Sequence, residues 1–120
     1  MPARILIVED SPLVTDAFSI LLRESGYDVD VAGTIAEAVE IAKARPADLM
    51  LLDISLPDGD GLDLLDQLRE QKSLPRATLA MTGHGDLRTR QKCLDAGCAE
   101  VFLKPVGISE LLRRIEHHLA

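Results

Sequence analysis

The sequence predicts a doubly wound α/β fold, five parallel strands alternating with five helices that cover both faces of one sheet. Three observations predict it. Short apolar runs rich in branched residues recur along the chain, segments with helical spacing lie between them, and the turns joining the two are short. The uninterrupted run Leu49-Met50-Leu51-Leu52 marks a central strand buried on both faces.

The first strand is RILIV at 4–8, and the helix after it carries Leu13, Val14, Ala17, Phe18, Leu21 and Leu22 on one face and stops at Gly26. DVDVA at 28–32 is the second strand. Thr34 caps the next helix, with Glu37 completing a capping box and Ala38, Val39 and Ala42 on the apolar face, and the helix ends before Pro46. DLMLL at 48–52 is the third strand, followed by a helix through Leu62, Leu65 and Leu68. ATLAM at 77–81 is the fourth; its helix begins near Asp86 and ends at Gly97. VFL at 101–103 is the fifth, and the last helix begins near Ser109 with Leu111, Leu112, Ile115 and Leu119 on one side. No repeat, linker or low-complexity segment interrupts the series, so residues 1–120 are expected to form a single domain.

Composition excludes several functions. No apolar run approaches the roughly 20 residues that span a bilayer, and the start lacks the apolar core of a signal peptide; a soluble, cytoplasmic chain without membrane contact is expected. The net charge of −7 repels a phosphate backbone and argues against direct nucleic-acid binding. Phe18, Tyr27 and Phe102 are the only aromatic rings of the Phe, Tyr or Trp type, too few to stack bases or a flavin. Cys93 and Cys98 fit no metal or redox spacing and are expected to be packed thiols.

In such a sheet, ligands bind at the carboxyl ends of the strands, beside the point where strand order reverses. Those positions hold Glu9 and Asp10 after the first strand, Asp53 after the third, Thr82 after the fourth and Lys104 after the fifth. Separately, Asp10 could cap a helix and Asp53 could open a turn. Together they place three carboxylates, a hydroxyl and an ammonium on one edge. Two carboxylates about 5 Å apart repel by roughly 3 kcal/mol at an effective dielectric of about 20, so the cluster invites a hard divalent cation, Mg²⁺, with oxygen ligands. Asp53 could then keep one oxygen on the metal and attack phosphorus with the other, while Lys104 and the Thr82 hydroxyl hold the phosphoryl oxygens.

The motifs VED at 8–10, LLDISLPDGDGL at 51–62, MTG at 81–83, DAGCAEVFLKP at 95–105 and the tail ELLRRIEHHL stand in order and at matching spacing. With them the chain resembles a receiver domain of the bacterial response-regulator family over essentially its full length. The resemblance implies the flavodoxin-like strand order 2-1-3-4-5. It implies phosphorylation of Asp53 by a sensor histidine kinase or phosphotransfer protein, in a phosphorelay signalling role rather than as an enzyme. Mg²⁺ would be held by Glu9, Asp10, Asp53 and the Ser55 carbonyl, with Glu9 acting through water. Thr82 and Lys104 would contact the phosphoryl group, Gly83 would leave it accessible, and the Lys104–Pro105 peptide would be cis. Downstream, the partners implied are an effector protein or output domain and a weak homodimer.

Two features depart from the family pattern. Val101 stands where Tyr or Phe is usual, and the acidic pair after the Ala-Gly step is reduced to Cys98, Ala99 and Glu100. With Thr82 and Val101 as the switch pair, the expected response to phosphorylation is a movement of residues 83–97 rather than an aromatic rotation. Ser55 and His84, which flank the path of hydrolytic water in the family, are neither carboxamide nor carboxylate, so the phosphoryl group is expected to last minutes or longer. The rival readings lack their motifs: a flavin carrier needs a Thr/Ser/Gly-rich loop where EDSPLV stands, and an aspartate-nucleophile phosphatase needs Asp-x-Asp there. A pure interaction module would not need the complete residue set.

Overall fold

Along the chain the elements are β1 (Arg4–Val8), α1 (Pro12–Glu24), β2 (Asp28–Ala32), α2 (Ile35–Ala44), β3 (Leu49–Asp53), two short strands β4 (Ser55–Leu56) and β5 (Gly59–Asp60), α3 (Gly61–Glu70), β6 (Ala77–Thr82), α4 (Leu87–Asp95), β7 (Glu100–Leu103) and α5 (Ile108–Leu119). The structure, a computed structural model, describes residues 2–120. Five of the strands form one parallel sheet in the order β2-β1-β3-β6-β7, which is the flavodoxin-like 2-1-3-4-5 order once the five main strands are counted.

Side chains alternate across the sheet and divide the core in two. Leu6, Val8, Met50, Leu52 and Ala80 face a layer completed by α2, α3 and Cys93 of α4. Ile5, Ile7, Leu49, Leu51, Leu79 and Met81 face Phe18 and Leu22 of α1 and Leu111 and Ile115 of α5. Phe18, Tyr27 and Phe102 all belong to this second layer, so the α2–α4 layer is built from aliphatic side chains and thiols. Cys93 and Cys98 are buried and unbridged, and burial pushes the Cys98 thiol up to about 12.

Element boundaries differ from expectation where polar residues continue a ladder. Asp53 and Thr82 are the last residues of β3 and β6 rather than the first beyond them, paired with Met81 and Leu103. Backbone pairing ignores side-chain polarity: the Ile54 amide donates to the Met81 carbonyl at 3.2 Å and the Lys104 amide to the Thr82 carbonyl at 2.8 Å. Glu100 likewise extends β7 by one residue, and α5 starts at Ile108, one residue before Ser109.

The helix starts vary more than the sequence suggests. The first-helix N-cap is Ser11, not Asp10, with Pro12 in the first turn and no side-chain bond. Thr34 accepts from the Glu37 amide at 3.1 Å, but the Glu37 carboxylate takes the Thr34 hydroxyl, 3.4 Å away. Only half of the expected capping box is therefore formed. Asp60 and Asp86 cap α3 and α4 through the Leu62 and Thr89 amides.

Candidate functional site

The two-residue period of the strands assembles the site. Glu9 continues the series Ile5 and Ile7, Asp53 continues Leu49 and Leu51, and Lys104 follows Phe102 by two, so all three share the parity of the layer that α1 and α5 cover. Each lies at the carboxyl end of its strand. Glu9 and Asp53 are only 2% and 3% exposed, a costly position for two like charges unless they are compensated.

Lys104 supplies the compensation. Its Nζ lies 2.9 Å from Glu9 Oε2 and 2.8 Å from Asp53 Oδ2. The other oxygens take backbone donors: Asp53 Oδ1 accepts from the Ser55 amide at 2.9 Å and Glu9 Oε1 from the Ser11 amide at 3.2 Å. One oxygen is under-served. Glu9 Oε2 is ion-paired but is the one buried side-chain N or O atom among the described residues that forms no aligned hydrogen bond. Burial pushes the Glu9 carboxyl above its usual range; Lys104 opposes this and the Asp53 charge adds to it. Burial would lower the Lys104 ammonium, yet its bonds to Asp53 and Glu9 outweigh that and hold it raised.

Asp10 is exposed beside this pair, and Glu9, Asp10 and Asp53 each present a carboxylate oxygen within 4.8 Å of the others. Three hard oxygen donors, one of them buried and short of a partner, fit a divalent cation such as Mg²⁺.

The remaining predicted residues surround this core at different depths. Ser55 is exposed and joins the site through its amide. Thr82 is buried, but its hydroxyl accepts from the His84 amide at 3.0 Å, and among the described residues it makes no hydrogen bond to Asp53 or Lys104. A side chain added at Gly83 would meet open space. The Lys104–Pro105 peptide is cis. Val101 is half-buried against the α2–α4 layer, while Phe102 packs in the opposite one.

Neither Asp58 nor Gly61 stands out in the sequence as part of the site. A Cβ at Gly61 would stand 2.5 Å from the Asp53 carbonyl oxygen and 2.8 Å from Ile54 Cα, so only glycine lets α3 start against the end of β3. The density of Asp and Gly after Asp53 was the visible signal, but it does not separate a close approach from a flexible turn.

The profile of the response regulator receiver domain matches residues 5–116. The chain belongs to that family. It is 36% identical over 117 residues to the transcriptional regulatory protein PdtaR of Mycobacterium tuberculosis, covering 97% of this chain and 56% of PdtaR; the chain spans about half the length of such curated relatives. The fold matches the CheY-like receiver domain protein of Methanospirillum hungatei with a TM-score of 0.89 and 31% identity, over 99% of this chain and 94% of that one. It also matches the receiver domain of the sensor histidine kinase PA1611 of Pseudomonas aeruginosa, in which a magnesium ion is coordinated in the active-site cleft. There the TM-score is 0.86 and the identity 30%, over 99% of this chain and 98% of that one. A receiver domain of two-component response regulators is a signalling domain, and the cluster of Glu9, Asp10 and Asp53 fits its phosphoacceptor site. No helix among the described residues is long and apolar enough to cross a membrane.

Proposed function

We propose that Asp53 is the phosphoacceptor of a Mg²⁺-dependent phosphorelay, and that its modification switches protein–protein interactions. The observation that carries this reading is the Asp53 carboxylate itself, buried at a strand end with an ammonium 2.8 Å away and two more carboxylates beside it. An oxygen of Asp53 attacks phosphorus of a phosphohistidine on a sensor kinase or phosphotransfer protein; the new O–P bond forms as the P–N bond breaks, and the imidazole leaves with the bonding pair. Lys104 balances charge on the transferred group, and the Thr82 hydroxyl reaches it after releasing the His84 amide. Mg²⁺, held by Glu9, Asp10, Asp53 and the Ser55 carbonyl, would neutralise the phosphoryl oxygens.

In this reading residues 1–120 work as one cytoplasmic receiver unit that assists its own phosphorylation and dephosphorylation. Its partners are the phosphodonor, a downstream protein or output domain, and a second copy of itself in a weak homodimer. Whole relatives such as PdtaR are transcriptional regulatory proteins, but the −7 charge of this chain disfavours its own contact with nucleic acid. Incubation with acetyl phosphate and Mg²⁺ should add one phosphoryl mass to the wild type and none to Asp53→Ala. Label on that variant at the wild-type level would overturn the assignment.

A further inference from the structure

Among the described residues Asp58 makes the longest-range helix cap. Its Oδ1 accepts from the Ile35 amide at 2.9 Å and its Oδ2 from the Ala36 amide at 3.2 Å, across 23 and 22 residues of sequence. From within the helix start, the Thr34 hydroxyl accepts from the Glu37 amide at 3.1 Å, and the Thr34 carbonyl accepts from the Ala38 amide at 3.1 Å as the first ordinary helical bond. Three of the four amides that an α-helix leaves open at its start thereby have side-chain partners, one from Thr34 and two from outside the helix. Donation from Ile35, followed by that from Ala36, holds the Asp58 carboxyl below its ordinary value.

The outside partner is attached to the candidate site. Ser55 and Leu56 pair with Asp60 and Gly59, so β4 and β5 form a hairpin with Pro57 and Asp58 at its tip. The tip rests on α2 as well as bonding to it: a Cβ at Gly59, where φ is +147°, would stand 3.3 Å from Ile35 Cδ1. The base of the hairpin is Ser55, whose amide holds Asp53 Oδ1. An unanchored two-residue hairpin has little stability of its own.

We propose that Asp58 is a positioning residue: by capping α2 from the hairpin tip it fixes the hairpin, and through it Ser55 and the metal-side wall of the site. The consequence for Mg²⁺ rests on the function proposed above; the mechanical part does not. Thr34 provides the control, because it caps the same helix without touching the hairpin.

The test compares Asp58→Ala, Asp58→Asn and Thr34→Ala with the wild type as full chains. Without metal, amide hydrogen exchange at Ser55 and Leu56 should quicken about fivefold in Asp58→Ala, the size expected for one lost cap, less in Asp58→Asn, and stay unchanged in Thr34→Ala. In a calorimetric titration with MgCl₂, Asp58→Ala should weaken binding about three- to tenfold, a smaller effect than losing a direct partner of a metal ligand. Thr34→Ala should bind as the wild type does. Equal quickening at Ser55 in Thr34→Ala and Asp58→Ala, or none in Asp58→Ala, would overturn the clamp. A wild type that binds no Mg²⁺ but shows the predicted exchange pattern would remove the metal reading and leave the clamp standing.

Discussion

The two walls of the candidate site are built differently. On one side Glu9, Asp53 and Lys104 are joined by contacts of 2.9 Å or less, backed by the Ser11 and Ser55 amides and by a hairpin tied to α2. On the other side Thr82 is the last buried residue; Gly83, His84, Gly85 and Asp86 are exposed, and the Thr82 hydroxyl bonds only to its own loop. A wall that binds charge works best when its dipoles are fixed beforehand. A wall that reports binding needs a second arrangement close in free energy. On the proposed function, the first wall suits the chemistry and the second the signalling.

The contrast breaks most severely if the fixed wall loses its cation. Lys104→Met leaves two buried carboxylates facing each other, and should cost about 1–3 kcal/mol in urea unfolding at neutral pH, discounted because Lys104 is partly exposed. Protonating Glu9 removes the repulsion, so the deficit should shrink as pH falls, and MgCl₂ should restore much of it. An unchanged unfolding midpoint would show that the wall does not depend on its ammonium.

On the exposed wall the expected effect is on response rather than stability. Thr82→Ala should accept phosphate from acetyl phosphate within about threefold of the wild-type rate, less than one full hydrogen bond. It should lose most of the amide NMR shifts that beryllofluoride induces in residues 83–97. Val101→Ala, which removes two methyl groups from a half-buried site, should cost about 1 kcal/mol and keep those shifts. If Val101→Ala abolishes them while phosphorylation persists, residue 101 is the switch after all.

The smallest effect marks where the exposed wall ends. Behind it, Arg114 Nε lies 3.0 and 2.8 Å from the Glu100 oxygens and His118 Nε2 lies 2.6 Å from Oε2, anchoring β7 to α5. Burial would raise the Glu100 carboxyl, but the bonds from His118 and Arg114 outweigh it and hold it below its usual range. Its contribution is therefore present above the ordinary glutamate range and lost as pH falls through the lowered folded value. Glu100→Gln should destabilise by about 0.5–1 kcal/mol at pH 7 and by nothing measurable at strongly acidic pH, with the beryllofluoride shifts of 83–97 intact.

Sequence legibility cut across this division. Glu9, Asp53 and Lys104 could be brought together from sequence because period-two alternation and sheet order are global regularities. That Asp53 and Thr82 lie inside their strands could not be read, because it depends on Ile54 and Lys104 amides finding carbonyls on neighbouring strands. The β4–β5 hairpin, two residues a side, is too short for any periodicity. Asp58 was legible as a turn former, whereas its bond to a helix 23 residues earlier is a property of the folded chain alone. The Thr82–His84 bond is local, but nothing in MTGHG distinguishes a hydroxyl turned into its loop from one turned toward the ammonium.

The confinement of Phe18, Tyr27 and Phe102 to one layer gives this molecule a built-in spectroscopic label. Ring currents from these side chains can displace methyl resonances of Ile5, Ile7, Leu49 and Leu51, while Val8, Leu52, Leu64 and Leu68 lie beyond the sheet in surroundings without phenyl rings. In a methyl spectrum the anomalously upfield peaks therefore belong to the α1/α5 side. A ligand that moves those upfield peaks is acting on the α1/α5 side.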